Sequence, residues 1–254
     1  MTSLSIIIVN YKSWSVLEKC LESILSQGIN DIEVIIVDNN SNDGLITKFK
    51  KKYINFKWIS NKINAGFSKA CNQGAEIAKN EYYLFLNPDT ELKKNSLVKM
   101  KSIIENFPNS ILSISQLDSA GNIGFPYGNF LSIRTFNGII RFLDRLISLE
   151  NRNINNEKPF IKPNWVSGSF LLIDRKNFNK LGGWDEDYWM YYEDMDLCKR
   201  ANIIGIDIDP LAIKAAKIIN PGPLYLNMDP LKEKKEFLRF LGSLPKNEKK
   251  LFIA

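Results

Sequence analysis

Residues 84–90, LFLNPDT, run apolar for three positions and then break at Asn-Pro-Asp. All three residue types favour turns, so an ordinary loop explains the break. A carboxylate closing a dry strand is also what a metal ligand at the mouth of a site looks like, and this stretch alone leaves both readings of Asp89 open. The pattern recurs upstream. LSIIIVN (4–10), IEVIIVD (32–38) and FKWIS (56–60) are too brief for helices. The most apolar of them, LSIIIVN, reads as a buried parallel strand. Between the first two, SWSVLEKCLESILSQG (13–28) sets Val16, Leu17, Cys20, Leu21, Ile24 and Leu25 at helical spacing, with Gly28 as a stop. Further helices are predicted over 45–53 and 66–79, and a strand over 82–87. Alternating strands and helices predict an α/β fold with a mostly parallel central sheet, right-handed crossovers and helices on both faces.

Composition narrows the chemistry. The 254 residues suffice for one large α/β domain with an appendage, and 44% hydrophobic with 24% charged residues is ordinary for a soluble protein. No apolar run approaches the ~18 residues that span a bilayer. The N-terminus lacks a signal-peptide pattern. The three cysteines, Cys20, Cys71 and Cys198, have no metal-site spacing. A cytoplasmic setting is therefore expected. No histidine is present, so carboxylates or thiols must carry any acid–base or metal work. The formal charge of +6 is concentrated in residues 211–254, where nine basic side chains face four acidic ones. That tail is read first as solvated surface and second as a peripheral contact with the inner face of a membrane. No nucleic-acid partner is expected.

In a parallel sheet, ligands sit beyond the carboxyl ends of the strands. Those ends carry Asn10 and Tyr11, Asp38 to Asp43, Asn61 to Gly66, and Asn87 to Asp89. A second acidic group lies far along the chain, in GGWDEDYWMYYEDMD (182–196), after a strand predicted over 165–175. Its rings, at Trp184, Tyr188, Trp189, Tyr191 and Tyr192, offer flat faces for sugars or other amphipathic ligands. Its acids Glu193, Asp194 and Asp196 open a helix, where negative charge complements the dipole without any catalysis. Two acids on one rim tilt the balance toward chemistry, one for a metal and one for a proton. Asp196 and Arg200, four residues apart, read as a helix pair.

Seven segments in order, SIIIVNYKS, VIIVDNNSNDG, NAGFSKACNQG, YYLFLNPDTEL, VSGSFLLIDR, GGWDEDYW and YEDMDLCKR, resemble family-two inverting glycosyltransferases, in particular the rhamnosyltransferase-like branch. The likeness covers residues 3–201. It implies a GT-A (nucleotide-diphospho-sugar transferase) fold and transfer of a rhamnose-like or other sugar from a nucleotide-diphosphate donor to a saccharide or lipid-linked acceptor, in cell-surface polysaccharide synthesis. It further implies nucleotide contacts from Asn10, Tyr11, Asp38, Asn64, Gly66 and Asn87, with Gly66 bare so that the nucleotide can approach. Asp89 would bind a divalent cation, Mg²⁺ or Mn²⁺. Asp194 would be the base and Glu193 its neighbour orienting donor or acceptor. Trp184 and Asp185 would line the acceptor side. The second function considered is a truncated relative that binds nucleotide sugar with weak turnover or none.

The likeness ends at residue 201, where the family continues to a histidine absent here. The sequence divides into a catalytic domain over 1–201 and an extension over 202–254, diverged or foreign. NIIGIDIDPLAIKAAKIIN (202–220) resembles the second strand and following helix of nucleotide-fold methyltransferases, without the Gly-rich loop such a cofactor site requires.

Overall fold

The computed structural model describes residues 3–29, 31–117, 123–124, 127–128, 163–218 and 239. The first half alternates as the sequence predicts. Strands β1 (Leu4–Asn10), β2 (Ile32–Asp38), β3 (Lys57–Ser60) and β4 (Tyr82–Leu86) are separated by helices α1 (Trp14–Leu25), α2 (Leu45–Lys52) and α3 (Phe67–Ile77). Then come β5 (Thr90–Leu92), α4 (Ser96–Ile104) and β6 (Ser110–Leu117), followed by the short strands β7 (Ile123–Gly124), β8 (Tyr127–Gly128) and β9 (Trp165–Val166). β10 (Phe170–Asp174), α5 (Arg175–Lys180), α6 (Glu193–Ile203) and β11 (Asp207–Ile218) complete the described elements.

The main sheet runs β3-β2-β1-β4-β10-β6-β11-β5, with β7 also paired to β6. β1, β2, β3 and β4 are mutually parallel, as are β6 and β11, whereas β10 runs against both β4 and β6. The apolar runs are continuous because both faces of this sheet are covered. Leu4, Ile6, Ile8, Leu84 and Leu86 point into a core shared with Leu17, Leu21 and Ile24 of α1 and Leu97, Met100 and Ile104 of α4. Their neighbours Ile7, Tyr83 and Phe85 point the other way, onto Cys71 and Ala75 of α3 and Leu197, Cys198 and Ala201 of α6. Period-two alternation thus feeds two layers at once.

The strand order reverses at β1, whose two neighbours are β2 and β4. The crevice of an open α/β sheet lies at such a reversal, outside the carboxyl ends of the strands. Asn10 and Asn87 stand on its two sides.

Three expectations differ from the structure. The strand predicted over 165–175 is two strands, interrupted by Ser167-Gly168-Ser169, and it ends where Asp174 accepts the N–H of Asn177 at 2.9 Å and so caps α5. The strand-then-helix expected within 202–220 is one twelve-residue strand. β11 pairs with β6 from Asp207 to Lys217, with register shifts near Lys214, and with β5 at its far end. Sheet pairing on both sides overrides the helical propensity of its Ala and Lys residues. The boundary drawn at residue 201 falls inside α6, and the sheet continues past it into β11. The helix expected over 139–149 and, apart from residue 239, the basic amphipathic segment DPLKEKKEFLRFLGSL (229–244) lie outside the described residues.

Candidate active site

The polar ends of β1 and β2 knit into one another. Asn10, fully buried, donates through Nδ2 to Asp38 Oδ1 at 2.9 Å and to Ser41 Oγ at 3.2 Å. Ser41 Oγ donates to Asp38 Oδ1 at 2.5 Å and accepts the N–H of Lys12 at 2.8 Å. Both residues are therefore held behind the rim, and Tyr11 is the residue of this group that opens on the cleft, 44% exposed.

Asn39, next along, is a hub. Its Nδ2 donates to Asn64 Oδ1 at 2.8 Å and to the Gly66 carbonyl at 3.0 Å, while its Oδ1 accepts Asn61 Nδ2 and the Ala65 N–H, each at 3.0 Å. One side chain thus fixes the whole 61–66 loop. Gly66 is required, though the contact that excludes a side chain is the protein's own. It has φ +88°, and a Cβ there would lie 2.6 Å from the Trp189 carbonyl oxygen. That same oxygen accepts the Phe67 N–H at 2.7 Å. The 61–66 loop and the aromatic loop are therefore docked backbone to backbone.

The aromatic loop divides into core and cleft. Trp184 and Tyr188 are each 1% exposed. The Trp184 ring packs edge-on against Phe85 and Phe67, with centroids 5.0 and 5.8 Å apart. Its backbone is clamped by Asn72, which accepts the Trp184 N–H at 3.0 Å and donates to its carbonyl at 2.8 Å. Trp184 therefore backs the cleft wall and presents no open face for a sugar. Asp185 likewise serves the turn, accepting the Asp187 N–H at 2.9 Å. Trp189, Met190, Tyr191 and Tyr192 do line the cleft. Tyr191 and Tyr192 both adopt left-handed backbone, φ +71° and +65°, a sparsely populated conformation for bulky residues that concentrates at functional sites.

Glu193 and Asp194 begin α6, and both line the same cavity of about 250 Å³. Asp194 Oδ2 accepts the Gly168 N–H at 3.1 Å and Oδ1 accepts the Met195 N–H at 2.8 Å. Desolvation raises its pKa above the usual carboxylate range, and those two N–H groups act in the opposite direction. Across the cleft, Asn87 and Pro88 form the wall. Asp89 lies just behind them, 6% exposed, and burial pushes its pKa from 3.8 up to about 6. The two acidic sides are joined through one strap: the Asn87 N–H donates to the Ser169 carbonyl at 3.0 Å, one residue from the Gly168 that holds Asp194.

Of the residues singled out from the sequence, Tyr11, Asn64, Asn87, Glu193 and Asp194 line the cleft directly. Asn10, Asp38, Gly66 and Asp89 stand immediately behind its wall. Sequence reasoning placed Asn39 at a strand end but gave neither it nor Ser167 to Ser169 a role of its own. Both sit inside segments that carry the resemblance, VIIVDNNSNDG and VSGSFLLIDR, where a neutral polar side chain gives less signal than a carboxylate.

A divalent cation fits this architecture at a single protein anchor. Among the described residues no three acidic, thiol or imidazole groups converge as a metal cage. Asp89 is nevertheless a buried carboxylate whose pKa is raised by that burial. Mg²⁺ commonly takes one or two carboxylates and completes its shell with substrate phosphates and water.

Comparison with known proteins places the chain in a family. The sequence profile described as Glycosyl transferase family 2 matches residues 5–181. The chain belongs to glycosyl transferase family 2. It is a glycosyltransferase with rhamnosyltransferase-like relatives. Rhamnosyltransferase WbbL of Escherichia coli (strain K12) is 26% identical over 212 residues, 79% of this chain and 77% of that protein. The N-acetylglucosaminyl-diphospho-decaprenol L-rhamnosyltransferase of Mycobacterium tuberculosis (strain H37Rv) is 26% identical over 224 residues, 80% of this chain and 71% of that protein. In fold the chain matches S. aureus TarS (TM-score 0.67, 18% identity, covering 99% of this chain and 42% of that one). It also matches GalNAc-T7 with UDP, GalNAc and Mn²⁺ (TM-score 0.74, 15% identity, 98% and 49%). These matches identify the fold as GT-A.

Proposed function

We propose that this chain is an inverting transferase that moves a rhamnose-like or other sugar from a nucleotide-diphosphate donor to a saccharide or lipid-linked acceptor, for a cell-surface polysaccharide. The observation that carries the proposal is the strap at 167–169, which ties the Asn87 side and the Asp194 side of one cleft together. In this reading the base end of the donor lies over Tyr11 and Asn64, with Asn10 and Asp38 behind them. Asp194 takes the proton of the acceptor hydroxyl as that oxygen bonds to the anomeric carbon and the bond to the diphosphate breaks. A carboxylate with a raised pKa suits that task. Glu193 orients the reacting sugar, and Trp189 to Tyr192 shield it from water. Asp89 would hold Mg²⁺ or Mn²⁺, which supplies positive charge for the departing diphosphate.

The lipid-linked acceptor and the rhamnose donor draw support from the names of the relatives. Among the described residues no helix is long and apolar enough to cross a membrane. Cytoplasmic placement, with acceptors met at the inner membrane face, belongs to the same proposal. The binding-only alternative draws on the single carboxylate at the cation position. Nucleotide-diphosphate release over a donor panel separates the two. Transfer is expected with wild type and a loss of about 10²–10⁴-fold with Asp194→Asn. Undiminished turnover in that variant removes the base assignment, and tight, cation-independent donor binding without turnover favours the alternative.

A further inference from the structure

Ser167-Gly168-Ser169 is a short non-strand segment between β9 and β10, yet it carries both sides of the site. A neighbouring strand reaches it through a side chain. Gln116 on β6, 2% exposed, donates through Nε2 to Ser169 Oγ at 2.8 Å. The main chain of Gln116 is paired with Gly124 of β7 on one side and Ala216 of β11 on the other, so its amide is delivered from a backbone fixed at both edges. One residue beyond the strap, Ser113 Oγ donates to the Phe170 carbonyl at 2.7 Å, so β6 grips the strap region at two points. Within the strap, Ser167 Oγ accepts the Ser169 N–H at 3.2 Å, which closes the turn that aims the Gly168 N–H at Asp194.

We infer that Gln116 is a positioning residue for transfer: by holding Ser169 Oγ it fixes the strap, and the strap fixes the separation between the Asn87 wall and the Asp194 carboxylate. The inference rests on Asp194 being the base. Gln116 does not line the cleft and touches no reacting atom, so its effect travels through Ser169 to Gly168 and Asp194. The contacts proposed for the base end of the donor, Tyr11 immediately after β1 and Asn64 in the 61–66 loop, lie outside the strap's hold. The two halves of the site therefore respond differently to loosening. Nucleotide diphosphate should still bind, while the acceptor's proton meets a base displaced from its productive position. Displacements near 1 Å cost about 10²-fold in rate.

The test is a double-mutant cycle on the full chain. Gln116→Leu removes the amide at similar volume, and Gln116→Met serves where the leucine variant fails to fold; Ser169→Ala removes the acceptor. Each single variant should lower kcat by about 10–100-fold. The donor KM and the calorimetric Kd for nucleotide diphosphate should stay within about twofold. The double variant should lose little more than either single one, because one bond is removed three ways. Asp194→Asn runs alongside. If it is inactive while both Gln116 variants keep wild-type kcat, this inference fails and the base assignment stands. If Asp194→Asn turns over normally, both fall. Additive losses, or a loss that vanishes once rates are divided by the folded fraction from circular dichroism, would show Gln116 to be ordinary core and overturn the positioning role.

Discussion

Gly66→Ala is the sharpest perturbation the structure offers. The residue sits at φ +88°, ψ 170°, a region essentially reserved for glycine, so a side chain there costs about 1–3 kcal/mol in backbone strain alone. The new methyl would meet the Trp189 carbonyl oxygen at 2.6 Å, Cδ1 at 2.8 Å and Cα at 3.0 Å. Two of these are backbone atoms. The carbonyl moves aside only by weakening its bond from the Phe67 N–H, worth about 0.5–1.5 kcal/mol. The combined destabilisation is about 2–4 kcal/mol, or roughly 5–12 °C in Tm for a chain of this size. Relief of the clash pushes Trp189 to Tyr192 outward, and turnover should drop by about 10–100-fold. Differential scanning fluorimetry and diphosphate release read the two effects. Gly182→Ala is the control: φ is +78° with nothing within 4 Å of the added carbon, so it carries strain without collision and should leave turnover intact. A Gly66→Ala protein melting within about 1 °C of wild type with normal kcat/KM would refute the docking of the two loops.

Other outcomes follow from the same geometry. Asp89 holds its proton up to about pH 6 in the fold and only to about 3.8 in the unfolded chain, so its contribution to stability falls as pH rises through that window. Asp89→Asn should therefore melt higher than wild type at neutral pH, with the gap closing below about pH 4, while transfer is lost. Mn²⁺ should raise the Tm of wild type and not of the variant. Asn39→Ala breaks four hydrogen bonds on the 61–66 loop and should weaken nucleotide binding about tenfold in calorimetry, with a smaller change in kcat. Arg200 donates from Nε to Asp196 Oδ2 at 2.7 Å and from one terminal nitrogen to the carbonyls of Leu181 and Gly183 at 2.6 and 2.9 Å. Lysine cannot reproduce that fork, and Arg200→Lys should cost about 1–3 kcal/mol by denaturant unfolding.

The alternation of β1 to β4 with α1 to α3 was readable because each run obeys one period and each turn is marked by Gly, Asn or Asp. Their edges shifted by a residue or two, as ends do. The reading stopped working where pairing partners decide. Nothing local in DPLAIKAAKI distinguishes a helix from a strand gripped by β6 and β5, and the break at Ser167-Gly168-Ser169 hides inside an apolar run. At the site, charged residues were easy to single out and neutral ones were not. Asn39 and Gln116 do their work through amide groups, which carry no signal until the strands bring their partners within reach. Trp184 shows the converse, since an aromatic ring beside acids looked like a binding face and is core.

The last described strand has a consequence for synthesis. β11 lies between β6 and β5, so among the described strands β5, which begins immediately after Asp89, has no main-chain neighbour in the sheet until β11, which ends at residue 218, has been made. A nascent polypeptide would assemble the β1–β4 half as it emerges and would wait for its distal part before the segment that follows Asp89 could lock. Arrest of translation before that point should leave a partly ordered intermediate, which a protease would cut between residues 88 and 95.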